Sequence, residues 1–534
     1  MKWMKNQPRA SECDASRRRA YRVDGRMRVA TRATMTLATS VRVVARARPP
    51  RSPARGGTRT AAGVPDTSAR RDDDGDDGDG DEGRRDGARD VERAIRDGGG
   101  TTPEYLARAS TPSERFQESS WGDAALAESC LRAMRVQWTH GFSSTPAGFP
   151  TCTHGFGEIL AGMQPAAADV ALGECFDASS ASVLDPFMGG GTTLVAGQCR
   201  GWRTVGVDVS PLACFVSANR NWRADEESVR AMVDTAARAV ARAGERAEEE
   251  AGEGDAGVPR PWLPIRRAVR EVTVDGPPRI AEALWFCMSV ALQRTQKSQN
   301  KRRPKGRGKK NRGVGGLDAA SANAEAFSKV VDEYATRLRQ FKEVCDRNDP
   351  PAPLASIHNV DIRKFALAED ERVDCVLTSP PYPAVYDYLS FARKVRAGSG
   401  AVVSSSNVDG PTSSYVNTVV PGDRNWPKEW LEGEIGSRRA LRSDPHAFKD
   451  IWQREQNDWL RVVADSLVPG GRAAVMVGDG ANINTRTSLA AAAGLFNLRD
   501  IAGCTMKLTA TMSDGALYNQ ARTEHLIIFE KPRE

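Results

Sequence analysis

From residue 181 onward, short apolar runs alternate with helix-patterned segments, and this alternation limits the fold more than any other feature. VLDPF (183–187), TVGVD (204–208), ASIHNVD (355–361), VDCVLTSPPY (373–382), GRAAVMVGD (471–479) and EHLIIFEK (524–531) read as strands. TTLVAGQCRG (192–201), SPLACFVSANRNW (210–222) and SLAAAAGLF (488–496) read as helices between them. Apolar strands connected through helices build a mostly parallel sheet covered on both faces. The expected fold is therefore a Rossmann-like α/β domain.

Two stretches interrupt the alternation. Residues 223–350 are far longer than an ordinary connection of ~2–6 residues. They include an Ala/Glu/Arg helix pattern (225–252), an apolar helix near 283–294 and the basic block KRRPKGRGKK (301–310). Residues 395–450 are polar and rich in Gly, Ser and Pro. Both are expected as insertions in a domain spanning 116–534. Ahead of it, AALAESCLRAMRVQW (124–138) has helical spacing. No internal repeat is visible.

The N-terminal part has a different character. Residues 1–71 carry 18 Lys or Arg against four acids, and DDDGDDGDGDE follows at 72–82. The first segment has the composition of an organelle transit peptide, for chloroplast or mitochondrion. A basic tail of a nuclear protein is the alternative. MTLATSVRVVARARPPRSPA from Met35 fits a transit peptide better than the first residues do, so translation starting there is an expectation. Residues 72–115 read as an acidic and polar linker. No apolar run approaches the ~18–20 residues of a membrane helix, and no obligate protein partner is evident. The ten cysteines contain no CxxC pair, and the five histidines show no metal-ligand spacing, so no metal is expected.

DPFMGGGTT (185–193) joins the first strand to a helix. Gly189, Gly190 and Gly191 permit positive φ and close approach of a ligand to the backbone. The helix start at Thr192 offers free N–H groups. Asp208 ends the next strand about 20 residues on, where an acid accepts from ribose hydroxyls. There is no GK[ST], and Asp185 would repel a pyrophosphate. A nucleoside with a cationic centre, such as S-adenosyl-L-methionine, fits better. Asp361 could accept from an adenine amino group or simply cap a helix.

Thr378-Ser379-Pro380-Pro381-Tyr382 ends the strand before it at the carboxyl edge of the sheet. The Ser379 hydroxyl and the Pro380 carbonyl form a pair of acceptors suited to an exocyclic NH2 group. Holding both N–H bonds directs the nitrogen lone pair at a methyl donor. Tyr382 could stack on a base drawn out of its helix.

Together, DPFMGGGTT and TSPPY resemble the amino-methyltransferases of DNA, with motifs DPFxGSGTT and (D/N/S)PP(Y/F); the SPPY form is similar to the cytosine-N4 branch. THGFSSTPAGFPTCTHGFGEIL (139–160) resembles the family's cofactor-gating segment, although the lysine common there is missing. LVPGGRAAVMVGD and EHLIIFEK are similar to its later strands.

The resemblance implies a seven-stranded methyltransferase fold. Asp185, Pro186, Phe187 and the turn through Gly191 and Thr192 would hold the methionine end of the cofactor. Asp208 would bind the ribose and Asp361 would lie near the adenine. Ser379, Pro380, Pro381 and Tyr382 would hold the target base. The family serine of GSG is Gly190 here. Cytosine N4 in DNA is the leading substrate. Adenine N6, an amino group in RNA, and a catalytically idle nucleic-acid-binding module are the alternatives. For nucleic acid contact, Lys301, Arg302, Arg303, Lys305 and Arg307 suit phosphates. EIGSRRALRSDP (434–445), with Arg438 and Arg439, is the better candidate for substrate contact. C5 methylation is argued against, because no Pro-Cys dipeptide supplies the thiolate.

Overall fold

Val183 and Leu184, neighbours in the first apolar run, are both fully buried but belong to cores on opposite faces of one sheet. The same split recurs at Ala474 and Val475, and at Leu526 and Ile527. A strand buried on both faces has no polar alternation, so these segments read as continuous apolar runs. The computed structural model describes residues 104–112, 116–140, 145–157, 159, 162–245, 260–301, 316–388, 428–508 and 522–533.

The sheet has eight strands: β1 (Phe116–Gly122), β2 (Ser182–Asp185), β3 (Arg203–Asp208), β4 (Ser356–Asn359), β5 (Val373–Thr378), β6 (Leu467–Gly478), β7 (Arg499–Leu508) and β8 (Thr523–Glu530). Their spatial order is β1-β7-β8-β6-β5-β2-β3-β4. The run β4-β3-β2-β5-β6 is parallel, and the pairings β6/β8, β8/β7 and β7/β1 are antiparallel. This corrects the seven strands implied by the resemblance. The extra one is β1, which lies along β7 in register from Phe116 opposite Leu508 to Gly122 opposite Ala502. The chain order reverses between β2 and β5, which makes their carboxyl ends the topological switch point where such sheets bind ligands.

Helices α1 (Glu104–Ala109), α2 (Ala124–His140) and α3 (Pro165–Glu174) are followed by α4 (Thr192–Cys199) and α5 (Pro211–Arg220). The long insertion is helical: α6 (Glu226–Glu245), α7 (Leu263–Thr273), α8 (Pro278–Lys301) and α9 (Gly316–Asp346). Its core joins Trp262, Trp285, Phe286, Phe327 and Leu338 to Phe215 of α5 and to Phe156 of the 139–160 segment. The insertion therefore supports the glycine-turn side of the sheet. Tyr334 of α9 donates its hydroxyl to the Asn219 carbonyl at 2.7 Å. The second insertion contributes α10 (Lys428–Gly433) and α11 (Arg438–Ser443), ahead of α12 (Phe448–Ser466) and α13 (Thr485–Gly494). Trp452 and Trp459 of α12 anchor the face opposite α2 and α3. No described helix is long and apolar enough to cross a membrane.

Candidate functional site

The two motifs meet at the switch point through one hydrogen bond. Thr378 Oγ1, at the end of β5, donates to Asp185 Oδ1, at the end of β2, at 2.7 Å. The Phe187 amide donates to the same oxygen at 3.1 Å. Asp185 is buried, at 4% exposure. On the other side, Asp208 closes the end of β3. It accepts from the Gly189 amide at 3.0 Å and from the Ser210 amide at 2.8 Å, so its carboxylate shapes the glycine turn as well as facing the site.

Gly191 is the N-terminal cap of α4 at φ +75°, and Gly189 lies at φ +49°. Gly190 is needed for a different reason. A Cβ there would stand 2.4 Å from a guanidinium nitrogen of Arg220. This accounts for glycine where the resembled family has serine: a buried arginine already fills that space.

Asp185, Pro186, Phe187, Gly189, Gly190, Thr192 and Asp208 line one cavity together with Ser379 and Pro381. Its non-atom space is about 1340 Å³, part of it open solvent. Of the other residues named from the sequence, Gly191 sits just behind the turn, and Pro380 is buried beside Ser379. Tyr382 points its hydroxyl at Glu524 Oε1, 3.1 Å away, and its ring packs at Gly478. Asp361 caps the short 3-10 turn Ile362–Lys364 and holds Arg363 with both oxygens, while its neighbour Ile362 lines the cavity.

The 139–160 segment, expected to gate the cofactor, lies at the cavity through Gly155 and Ile159, and Gly162 and Met163 just after it line the cavity too. Phe149 packs edge-on against Tyr105, and Thr151 lies 3.3 Å from the Thr145 hydroxyl. His154 is buried, and desolvation, with Arg220 and Arg337 nearby, lowers its pKa to about 3. Among the described residues no cluster could hold a metal ion.

Three contributors were not named from the sequence. Tyr388 lines the cavity, and three of the chain's eight tyrosines fall at 382–388, which was the available signal. Gly433 forms another wall together with Glu434 and Ile435, the first two residues of the EIGSRRALRSDP stretch that the sequence did single out. They are held by Arg439, which donates to the Leu431 carbonyl at 2.8 Å and pairs with Glu434 at 3.0 Å. Asp387 fastens the same segment, accepting from the Arg439 amide and from the Arg442 side chain, each at 2.7 Å. Arg439 thus builds the cavity wall, whereas Arg438 is exposed. Lys301 ends α8; Arg302, Arg303, Lys305 and Arg307 lie outside the described residues. The third contributor is Arg220.

Burial pushes Asp185 up to about 6, against hydrogen bonds from Thr378, Thr193 and the Phe187 amide. Burial likewise pushes Asp208 up to about 6, against the Ser210 and Gly189 amides, and the charge of Asp185 adds to the rise. Both acids are therefore raised in the folded state. Their contribution to stability is complete below about pH 4 and is lost as pH rises through about 6. A cationic ligand favours the ionised pair, so its affinity should rise over the same window. Binding of a cationic ligand, such as the S-adenosylmethionine expected from the sequence, should tighten about tenfold between pH 5.5 and 7.5. Asp185→Asn should flatten that slope in a calorimetric titration, and an unchanged slope would refute the assignment.

No family model matches the chain, and no curated protein does. Among solved structures it is similar to the rRNA methyltransferase aviRa from Streptomyces viridochromogenes, at 11% identity over 69% of this chain and 83% of that one, with a TM-score of 0.24. A likeness of that size carries no functional argument, and the reading of the site rests on its own geometry.

Proposed function

We propose that the chain is an S-adenosylmethionine-dependent methyltransferase acting on an exocyclic amino group of a nucleobase, with cytosine N4 in DNA as the leading substrate. The observation that carries this reading is the Thr378–Asp185 bond, which joins the glycine turn and the Ser379 segment in one cavity. A cationic cofactor fits there: two raised carboxylates and a glycine turn surround the space, and no phosphate-type loop is present. When bound, the cofactor supplies an activated methyl group. The chain's part is to hold and aim the amine. The Ser379 hydroxyl and the Pro380 carbonyl accept its two N–H bonds, which lets the nitrogen become tetrahedral and stabilises its developing positive charge. Tyr388, on the cavity wall, supplies an aromatic surface for the base ring. Arg438 and the basic 301–307 residues are the proposed phosphate contacts, and DNA of a chloroplast or mitochondrion is the proposed setting.

The test is methylation by the full chain with labelled S-adenosylmethionine, followed by mass spectrometry of digested nucleosides. The expected product is 4-methylcytosine from DNA. Label in methyladenine, or in RNA alone, would move the substrate and keep the mechanism. Cofactor binding without transfer to either nucleic acid would favour an idle binding module.

A further inference from the structure

Arg220 is the single basic side chain among the described residues lining the cavity. It ends α5 at 5% exposure. Nε donates to the Phe156 carbonyl at 2.8 Å, one terminal nitrogen to the Gly190 carbonyl at 3.0 Å, and the other to the Gly157 carbonyl. The Arg220 carbonyl itself accepts from Thr153 Oγ1 at 2.5 Å. The side chain thus ties the gating segment to the glycine turn.

Neutral carbonyls satisfy N–H groups without cancelling the charge. A guanidinium has five N–H bonds, and these three acceptors take one each. Among the described residues no carboxylate forms an ion pair with Arg220, although Asp185 and Asp208 line the same cavity. The neighbouring cation is Arg337, whose own guanidinium donates to the His154 carbonyl at 2.8 Å. Burial first, and then Arg337, lower the pKa of Arg220 to about 10. A buried cation with no internal counter-ion is costly unless a ligand supplies one.

We propose that Arg220 binds the carboxylate of the amino-acid end of the cofactor. This inference rests on the cofactor reading above. It assigns to α5 a charge that the gating segment, lacking lysine, does not provide. The fork geometry of a guanidinium suits a carboxylate better than a lone ammonium would. Gly190 follows from the same arrangement, since a side chain there would displace the guanidinium.

The experiment compares binding of S-adenosylmethionine and its decarboxylated analogue to the full chain by calorimetry. The wild-type protein is expected to prefer S-adenosylmethionine by roughly tenfold to a hundredfold. Arg220→Met should bring the ratio close to one, with Arg220→Lys retaining part of it. Because the wild-type comparison needs no variant, misfolding of Arg220→Met does not blunt the test. Equal affinity of the wild-type protein for the two compounds would overturn the proposal alone. Binding of neither would overturn the cofactor reading and the proposal with it.

Discussion

Replacing Gly191 with alanine should cost about 2–5 kcal/mol of stability and abolish cofactor binding. The residue is held at φ +75°, where an L side chain costs about 1–2 kcal/mol. The added Cβ would also stand 2.2 Å from Ser217 Oγ and 2.8 Å from Asn221 Nδ2. Neither neighbour can yield cheaply. Both are buried, and Asn221 is fixed by a 2.7 Å bond from Gln198. Forcing atoms into such a place costs about 1–3 kcal/mol more. Gly189→Ala is the control. Its φ is also positive, but the nearest atom to the new Cβ is Ile159 Cγ2 at 3.7 Å, so only the backbone cost of about 1–2 kcal/mol is expected. Denaturant unfolding and cofactor titration of the two variants check the contrast. Equal losses would show that crowding from α5 does not govern the turn.

Ser379→Ala should lower kcat by about 100- to 1000-fold, the scale seen when a single polar group that stabilises transition-state charge is removed. Cofactor affinity should change little, because the proposed acceptor would face the amine and the turn is left intact. Thr378→Val, one residue away, should behave differently. It removes the donor to Asp185 and leaves a buried carboxylate short of a partner, at a cost of about 1–3 kcal/mol. Its main effect should fall on cofactor binding and stability. Single-turnover rates and binding constants for the two variants separate these roles. A Ser379→Ala enzyme with the wild-type rate would sink the acceptor assignment.

What could be read from the sequence follows burial. The strands around the switch point are buried on both faces and stand out as apolar runs. β1 has the sequence FQESSWG and lies at the sheet edge, where mixed exposure hides its period. β7 contains Arg499, Asp500, Gly503 and Lys507, and its strand character comes from its two partners, the next strand β8 and the far-off β1. In the insertion, α7 carries Arg266, Arg267 and Arg270 among its eleven residues, which obscured its apolar face. The glycine turn and TSPPY were legible because local geometry demands those residues. Asp361, read from the sequence as a ligand contact or a cap, does cap the Ile362–Lys364 turn, accepting from the Arg363 amide at 3.0 Å. Arg220 could not be found this way. Its meaning depends on carbonyls 30 and about 64 residues away that only folding brings to it.

The N-terminal strand sets a boundary for any shortening of the chain. β1 covers the free edge of β7 and is locked there by Trp121, whose indole N–H reaches Asp500 Oδ1 at 2.8 Å beneath the Arg486 guanidinium. Glu118 of β1 also pairs with the buried Arg135 at 2.7 Å. Removal of the residues ahead of Phe116 would leave this edge pairing but strip away α1, whose Tyr105 packs on Phe149 and whose Ala109 carbonyl accepts from Arg135 at 3.1 Å. A cut after β1 would strip β7 of its partner and expose a row of unpaired backbone groups to self-association. A shortened chain must therefore keep both α1 and β1 to stay dispersed.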